Sequence, residues 1–387
     1  MGHLNEPPPP IRRESLRCWL VGLLLGIAPV VAGAADRTPP LFEKPGAFRE
    51  LTHVRFQGVA EERSLSDTEI VVGVFRGNQQ RAYPLRVLGE HRIINDNFGG
   101  PVVVTWDADS GSARAFIAEQ DARRLNFRFQ GWHLGVTVLR DNESGSLWSH
   151  LTGYCLAGER RGQHLEPLAV VVTTWSAWRG RYPESQIPEF DYRSVYKTTF
   201  PISSLKLSPE ASRSLARPDD RLAAETRVLG VSLGGQSKAY RLDPLRELTL
   251  DRLGGRDIAI LHFSSGETAV FEPKVDGQKL RLHLESNGES QCVVDAEGET
   301  VDVSGVILNG PRHGKHLPTV NAVETKWYAW AAYHPETLVD GLAVTTHGVC
   351  PPILLPQPPQ RPAREKPTPK ATRKERRDQR RKAAAER

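Results

Sequence analysis

The chain repeats itself, and this constrains its fold more than any other feature. The stretch from Val71 to Ile187 returns in degraded form from Val228 to Val339. GVFRGNQQRAYPLRVL (Gly73–Leu88) becomes GVSLGGQSKAYRLDPL (Gly230–Leu245), and NFGGPVVVTWDADSGSARAF (Asn97–Phe116) becomes RLGGRDIAILHFSSGETAVF (Arg252–Phe271). AGERRGQHLEPLAVVVTTWSAWRGRYPE (Ala157–Glu184) becomes NGPRHGKHLPTVNAVETKWYAWAAYHPE (Asn309–Glu336). A unit this long is a whole domain or half of a closed one, not a solenoid repeat of roughly 20–50 residues. What both copies keep is fold; what one copy alone carries is where function can sit.

The flanks differ from the repeats. Residues 1–35 read as an export signal: Arg12, Arg13 and Arg17 precede an apolar run from Trp19 to Val31, with Ala32-Gly33-Ala34 as cleavage text. The arginine wording fits a twin-arginine signal and an ordinary secretory one alike. Residues 36–66 are a lead-in, 67–187 repeat one, 188–227 a linker, 228–345 repeat two, and 346–387 a disordered proline-rich basic tail. From Arg361 the tail holds 12 Lys/Arg against 4 Asp/Glu. Removing tail and signal from the formal charge of +5 leaves the middle mildly acidic, so the basic character belongs to the tail. Such a tail cannot bury enough apolar surface to fold; its expected contact is an anionic envelope surface. The expected location is periplasmic or secreted, and nucleic acid is not an expected partner.

Each repeat reads as mainly β (α+β), giving two tandem related β-rich repeats, each closed by a short Trp-bearing helix. Glu69–Phe75 and Arg227–Leu233 are strands followed by glycine turns. A short helical turn begins at Pro84, and a strand is expected over His91–Asn95. Val102–Trp106, Ala113–Ala118 and Leu125–Phe129 follow as strands, the last alternating Leu125, Phe127 and Phe129 against Asn126 and Arg128. Leu280, Leu282 and Leu284 repeat that alternation. Thr174 is the N-cap expected for a helix from Trp175 to Tyr182. Trp175, Trp178 and Tyr182, and in the second copy Trp327, Trp330 and His334, fall on one helical face and are assigned to the core. Cys155 answers to Ile307, which marks it as a buried, inert thiol. Cys155, Cys292 and Cys350 show no metal-type spacing, and one internal bridge at most would leave one thiol over.

The wording RAYPLRVL, HRIINDNFGGPVVVTW, Ser110-Gly111-Ser112, GSLWSHLTG (Gly145–Gly153) and LEPLAVVVTTWSAW (Leu165–Trp178) resembles the bacterial family called domain of unknown function 3179, from about Asp67 to Tyr333. The resemblance implies export and brings no established activity. Members of that family commonly carry C-P-L-C-G-S after the central strand, where this chain has Asp107-Ala108-Asp109-Ser110-Gly111-Ser112. Soft-metal or dithiol chemistry does not survive that exchange.

Repeat one alone carries the richer polar set: His91, Asn95, Asp107, Asp109, Ser112, Arg140, Trp148 and His150. Repeat two aligns Leu261, His262 and Ser264 with Trp106, Asp107 and Asp109, and lacks the Trp-Ser-His text. Three readings follow. Asp107 and Asp109 with His91 or His150 suit a divalent metal as cofactor, although Asp-Ala-Asp-Ser-Gly-Ser is equally good turn chemistry, and the turn is preferred. Ser112 or Ser110 with His91 or His150 and an aspartate has the residue types of a hydrolytic site, without a Gly-x-Ser-x-Gly elbow. Trp132, Trp148 and Tyr154 with Arg140 suit a pocket for a small-molecule ligand. His164 and His316 match between copies and are structural by that logic; His313 and His316 make a weak second pair. The best statement is an exported envelope protein that binds a ligand or metal, with a hydrolytic or metal-dependent enzyme using repeat one as the alternative. Whether it is an enzyme stays open at this point.

Overall fold

The computed structural model describes residues 41–193, 206–215, 219–243, 245–263, 266–287, 290–294 and 296–342. The expected signal, the basic tail, Ser264 and Cys350 lie outside these residues, and so does the side chain of Cys292. Among the described residues no helix is long and apolar enough to cross a membrane. The described residues are mainly β, with 45% strand and 10% helix, and their sheets stand as a five-bladed, propeller-like ring.

The β-branched run Ile70–Arg76 turns at Gly77-Asn78 and pairs antiparallel with Gln79–Pro84. Ala169–Thr174 covers its other edge, and Gln186–Pro188 adds in parallel beyond. The C-terminal half builds the same order from Ala322–Lys326, Arg227–Leu233, Gln236–Arg241 and Leu338–Val339, again with a parallel last pair. Gly73 and Gly230 occupy equivalent register positions, opposite Ala82 and Val171 and opposite Ala239 and Val323. The reason is close approach: a Cβ at Gly73 would fall inside the ring of Trp178, and one at Gly230 inside that of Trp330. Each ring then anchors its indole N–H, Trp178 Nε1 to Ser185 Oγ at 2.9 Å and Trp330 Nε1 to Thr337 Oγ1 at 2.8 Å. The tryptophan faces are therefore core, as the helical spacing predicts.

Those helices run Trp175–Arg181, capped by Thr174 Oγ1 accepting from Ala177 N, and Trp327–Tyr333. The expected turn at Pro84 is the helix Leu85–His91. His91 is its last residue and does not start a strand. Arg92 adopts φ 64° with its N–H on Leu88 O, which stops the helix and moves the strand to Ile93–Asn97. Leu284 is exposed, unlike Leu280 and Leu282, because the strand His283–Asn287 belongs to a small separate sheet.

A second sheet takes Ile93–Asn97, Pro101–Asp107 and Ser112–Ile117; its C-terminal counterpart takes Leu248–Leu253, Arg256–His262 and Thr268–Phe271. Both sheets tie to their neighbours the same way. Asp96 accepts from Tyr83 Oη at 2.5 Å and from Arg81, and Asp251 accepts from Tyr240 Oη at 2.6 Å and from Lys238. Asp96 pairs with Val102 and Asp251 with Ile258. That register, with the shorter Gly254-Gly255 turn, moves the frame by one residue. Phe263, not His262, thus stands in the place of Asp107.

The lead-in is woven into the ring: Phe42–Glu43, Leu51–Thr52 and Phe56–Gly58 each extend a different sheet. The two halves share core. Val136, Val138, Leu151 and Leu156 pack in one cluster with Val228, Trp327 and Trp330. Cys155 and Ile307 are both fully buried and occupy the same turn, donating N–H to Gln163 O and Lys315 O. Burial pushes the free Cys155 thiol up to about 12, which keeps it protonated and inert.

Candidate functional site

Asp107, Ser112 and His150 of the polar set meet at the hairpin between Pro101–Asp107 and Ser112–Ile117. The first strand ends at Asp107, so residues 108–111 are a turn and the two aspartates do not share a strand face. Asp107 Oδ2 accepts from Ser110 Oγ at 2.6 Å and Ser110 N at 3.3 Å, and its Oδ1 accepts from Thr137 Oγ1 at 3.0 Å. Ser110 Oγ lies 2.7 Å from Ser112 Oγ. Ser112 Oγ lies 2.9 Å from His150 Nε2, and His150 Nδ1 lies 2.7 Å from Thr105 Oγ1. Thr105, Asp107, Ser110, Ser112 and His150 are all fully buried.

Counting protons orients this chain. A carboxylate has no proton to give, so the single Ser110 hydroxyl proton goes to Asp107. Ser112 must then donate to Ser110, His150 must donate from Nε2 to Ser112, and Thr105 donates to Nδ1 at 2.7 Å in preference to Arg114 O at 3.4 Å. Every donor points toward Asp107. Burial, followed by the repulsion of Arg114, pushes the imidazole down to about 3, so His150 is neutral and this tautomer completes the chain. The consequence for chemistry is direct. A base that activates a serine must be unprotonated at the nitrogen facing it; here that nitrogen carries the proton, and no residue of the chain reaches solvent.

Asp109 faces elsewhere. It accepts from Trp132 Nε1 at 2.8 Å and from Ser208 N at 2.7 Å. Burial first, then the charge of Asp107, raises its pKa. Ser110 O accepts from Lys326 N at 3.0 Å and Thr325 Oγ1 at 3.3 Å. The Asp107–Ser112 turn is thus a joint that holds the linker segment and a C-terminal strand against the N-terminal half.

The other expected residues separate. His91 bonds Arg49 O at 2.7 Å from its helix end and stands outside the chain. Asn95 exchanges two hydrogen bonds with the backbone of Phe127 and stitches adjoining sheets. Trp148 is core, with Nε1 on Asp141 Oδ2 at 2.8 Å. Arg140 lies half-buried beside Gly145. Trp132 and Trp148 are both buried, and Tyr154 meets His164 in a tilted ring contact with centroids 5.5 Å apart. Among the described residues, no three His, Cys, Asp or Glu side chains converge as a metal site.

Two cavities adjoin this joint. The larger, of about 900 Å³, is walled by strands of both halves, Ser112–Ile117, Ala169–Thr174, Thr268–Phe271 and Ala322–Lys326. Its surface mixes Phe75, Trp106, Val172 and Phe271 with Arg76, Glu166, His313 and His316. The smaller, of about 240 Å³, lies between Leu151–Tyr154 and the C-terminal hairpin around Gly234-Gly235. Arg114 stands in the wall of both. Sequence reasoning overlooked Arg114, Thr105 and Thr137. The available signal was alternation: Ala113, Arg114 and Ala115 form an inward strand whose one long side chain is charged.

The family model for Protein of unknown function (DUF3179) matches residues 47–337, and the chain belongs to that family. No curated protein and no solved structure gives a match.

Proposed function

We propose that this member of the DUF3179 family is an exported ligand-binding module of the cell envelope, with its ligand seated in the large cavity. The observation that carries the reading is that cavity. At about 900 Å³ it has the volume of a small-molecule site, and its walls mix apolar faces with a few polar groups. The experiment is saturable binding of 1-anilinonaphthalene-8-sulfonate, an apolar fluorophore with one charge, to the folded full-length chain. Near-stoichiometric binding that weakens at least tenfold in Ala169→Trp, with cooperative unfolding retained, supports the reading. Absence of saturable binding refutes it.

The hydrolytic alternative has one observation in its favour, the 2.9 Å Ser112–His150 contact. The burial of that pair and the proton order of its chain weigh against it. The metal alternative is weakened because Asp107 and Asp109 each already accept from two protein groups.

We also read the chain as two related repeats. The matched Gly73/Trp178 and Gly230/Trp330 contacts, the matched Asp96 and Asp251 networks, and the parallel closing pair in each half support this. Export rests on the Arg12-Arg13 and Trp19–Val31 text. The basic tail is assigned to an anionic envelope surface on its charge alone. Fractionation of cells tests both: a chain found in the cytoplasm overturns export, and a tail-truncated protein that stays envelope-associated overturns the tail's role.

A further inference from the structure

Among the described residues, Arg114 is a buried charge without a counter-charge. It is only 3% exposed. Of its five N–H groups, one on Nη1 donates to Ala322 O at 2.9 Å and one on Nη2 to Asn321 Oδ1 at 2.8 Å; Nε–H has no acceptor. The other buried cations among the described residues are each paired with a carboxylate: Arg86 with Glu69, Arg160 with Asp121 and Lys326 with Glu225. Among the described residues Arg114 donates only to neutral oxygens, and its guanidinium lies over the ring of Phe116. Burial alone pulls its guanidinium down to about 10, so it still carries its charge at neutral pH. The same charge helps to push His150 and His334 down.

The smaller cavity has Arg114 in its wall and room for a small molecule beside it. No Asp, Glu, Lys or second Arg lines it; His334 does, and burial followed by the charge of Arg114 holds that imidazole down to about 4, so it is neutral. Ser232, Gln236, Ser237 and Asn321 line it instead and offer neutral donors. A guanidinium with parallel N–H groups matches carboxylate and phosphate oxygens in a fork. The volume, about 240 Å³, suits a small anion and not a drug-sized molecule.

We propose that this cavity is a binding site for a small oxyanion, a carboxylate or an inorganic phosphate or sulfate, held by the Arg114 fork at the junction of the two halves. The site is separate from the large cavity's ligand and stands or falls without it, although Arg114 belongs to both walls.

The test is isothermal titration of the full-length protein, dialysed free of oxyanions, with phosphate, sulfate and malonate in turn at constant ionic strength. One saturable site for at least one of the three is expected. Phosphate or sulfate alone identifies a tetrahedral oxyanion, and malonate alone a carboxylate. Arg114→Gln should weaken that binding at least tenfold. Ser232→Leu, which fills the cavity and leaves Arg114 in place, should do the same and keeps the test decisive if the arginine variant does not fold. Ala169→Trp, which obstructs only the large cavity, should leave anion binding unchanged. Absence of saturable binding by all three anions, or wild-type affinity in the Arg114→Gln or Ser232→Leu protein, overturns the proposal.

Discussion

Acid should unfold this protein through His150, and the slope can be worked out in advance. The imidazole is fully buried, neutral, and held in the folded state near 3 against an ordinary value of 6.5. The unfolded chain takes up a proton below its ordinary pKa; the folded chain refuses it until the folded pKa is reached. The stabilisation is therefore complete above the ordinary value and falls as the pH drops toward 3. One differential proton is worth about 1.4 kcal/mol per pH unit. Between pH 6.5, where half of the unfolded chains already carry the proton, and pH 4.5 this residue alone should remove about 2 kcal/mol, an appreciable share of the roughly 5–15 kcal/mol typical of a folded domain. The assay is urea denaturation at several pH values for wild type and His150→Gln, which cannot titrate. Carboxylates contribute equally to both proteins, so the difference in slope isolates the histidine. The variant should be less stable at pH 7 and flatter toward acid, and the two curves should converge. Parallel curves would refute the buried, neutral imidazole and the proton order built on it.

Three further outcomes are expected. Gly73→Ala or Gly230→Ala drives a methyl into an indole ring and should cost about 3 kcal/mol, the upper range for overpacking; an unchanged Tm in either would overturn the close approach. Asp109→Ala removes the acceptor of Ser208 N and Trp132 Nε1 and should cost about 1–3 kcal/mol, with faster amide exchange confined to residues 206–215; unaltered exchange there would show that the joint does not hold the segment. Elemental analysis of protein prepared without chelator should find no stoichiometric divalent metal, and metal present in wild type but lost in Asp107→Ala/Asp109→Ala would restore the metal reading.

The candidate site was partly legible. Asp107, Ser112 and His150 meet in one hydrogen-bonded chain, yet the partners that define their chemistry were not foreseeable. Thr105 and Thr137 look like ordinary strand residues, and Ser110 was named only as a second serine. Their hydroxyls orient the protons because two sheets pack face to face, and that packing has no local signature. His91 was drawn into the set by residue type, and the left-handed turn at Arg92 puts it at the end of a helix.

What the chain determined by itself is what depends on local pattern and on recurrence. The β character follows from β-branched runs between glycine turns, and the core tryptophans from helical spacing present in both halves. Gly73 and Gly230 stand in matching text, but the indole rings that require the missing Cβ are placed by tertiary packing. Only the tertiary structure decided what faces what. It closed the aspartate–serine–histidine text into a buried, one-way proton chain. It also left Arg114 without a carboxylate between two cavities. Both outcomes arise from contacts across strands and halves distant in sequence, where burial sets the cost of a charge and geometry decides which partner relieves it.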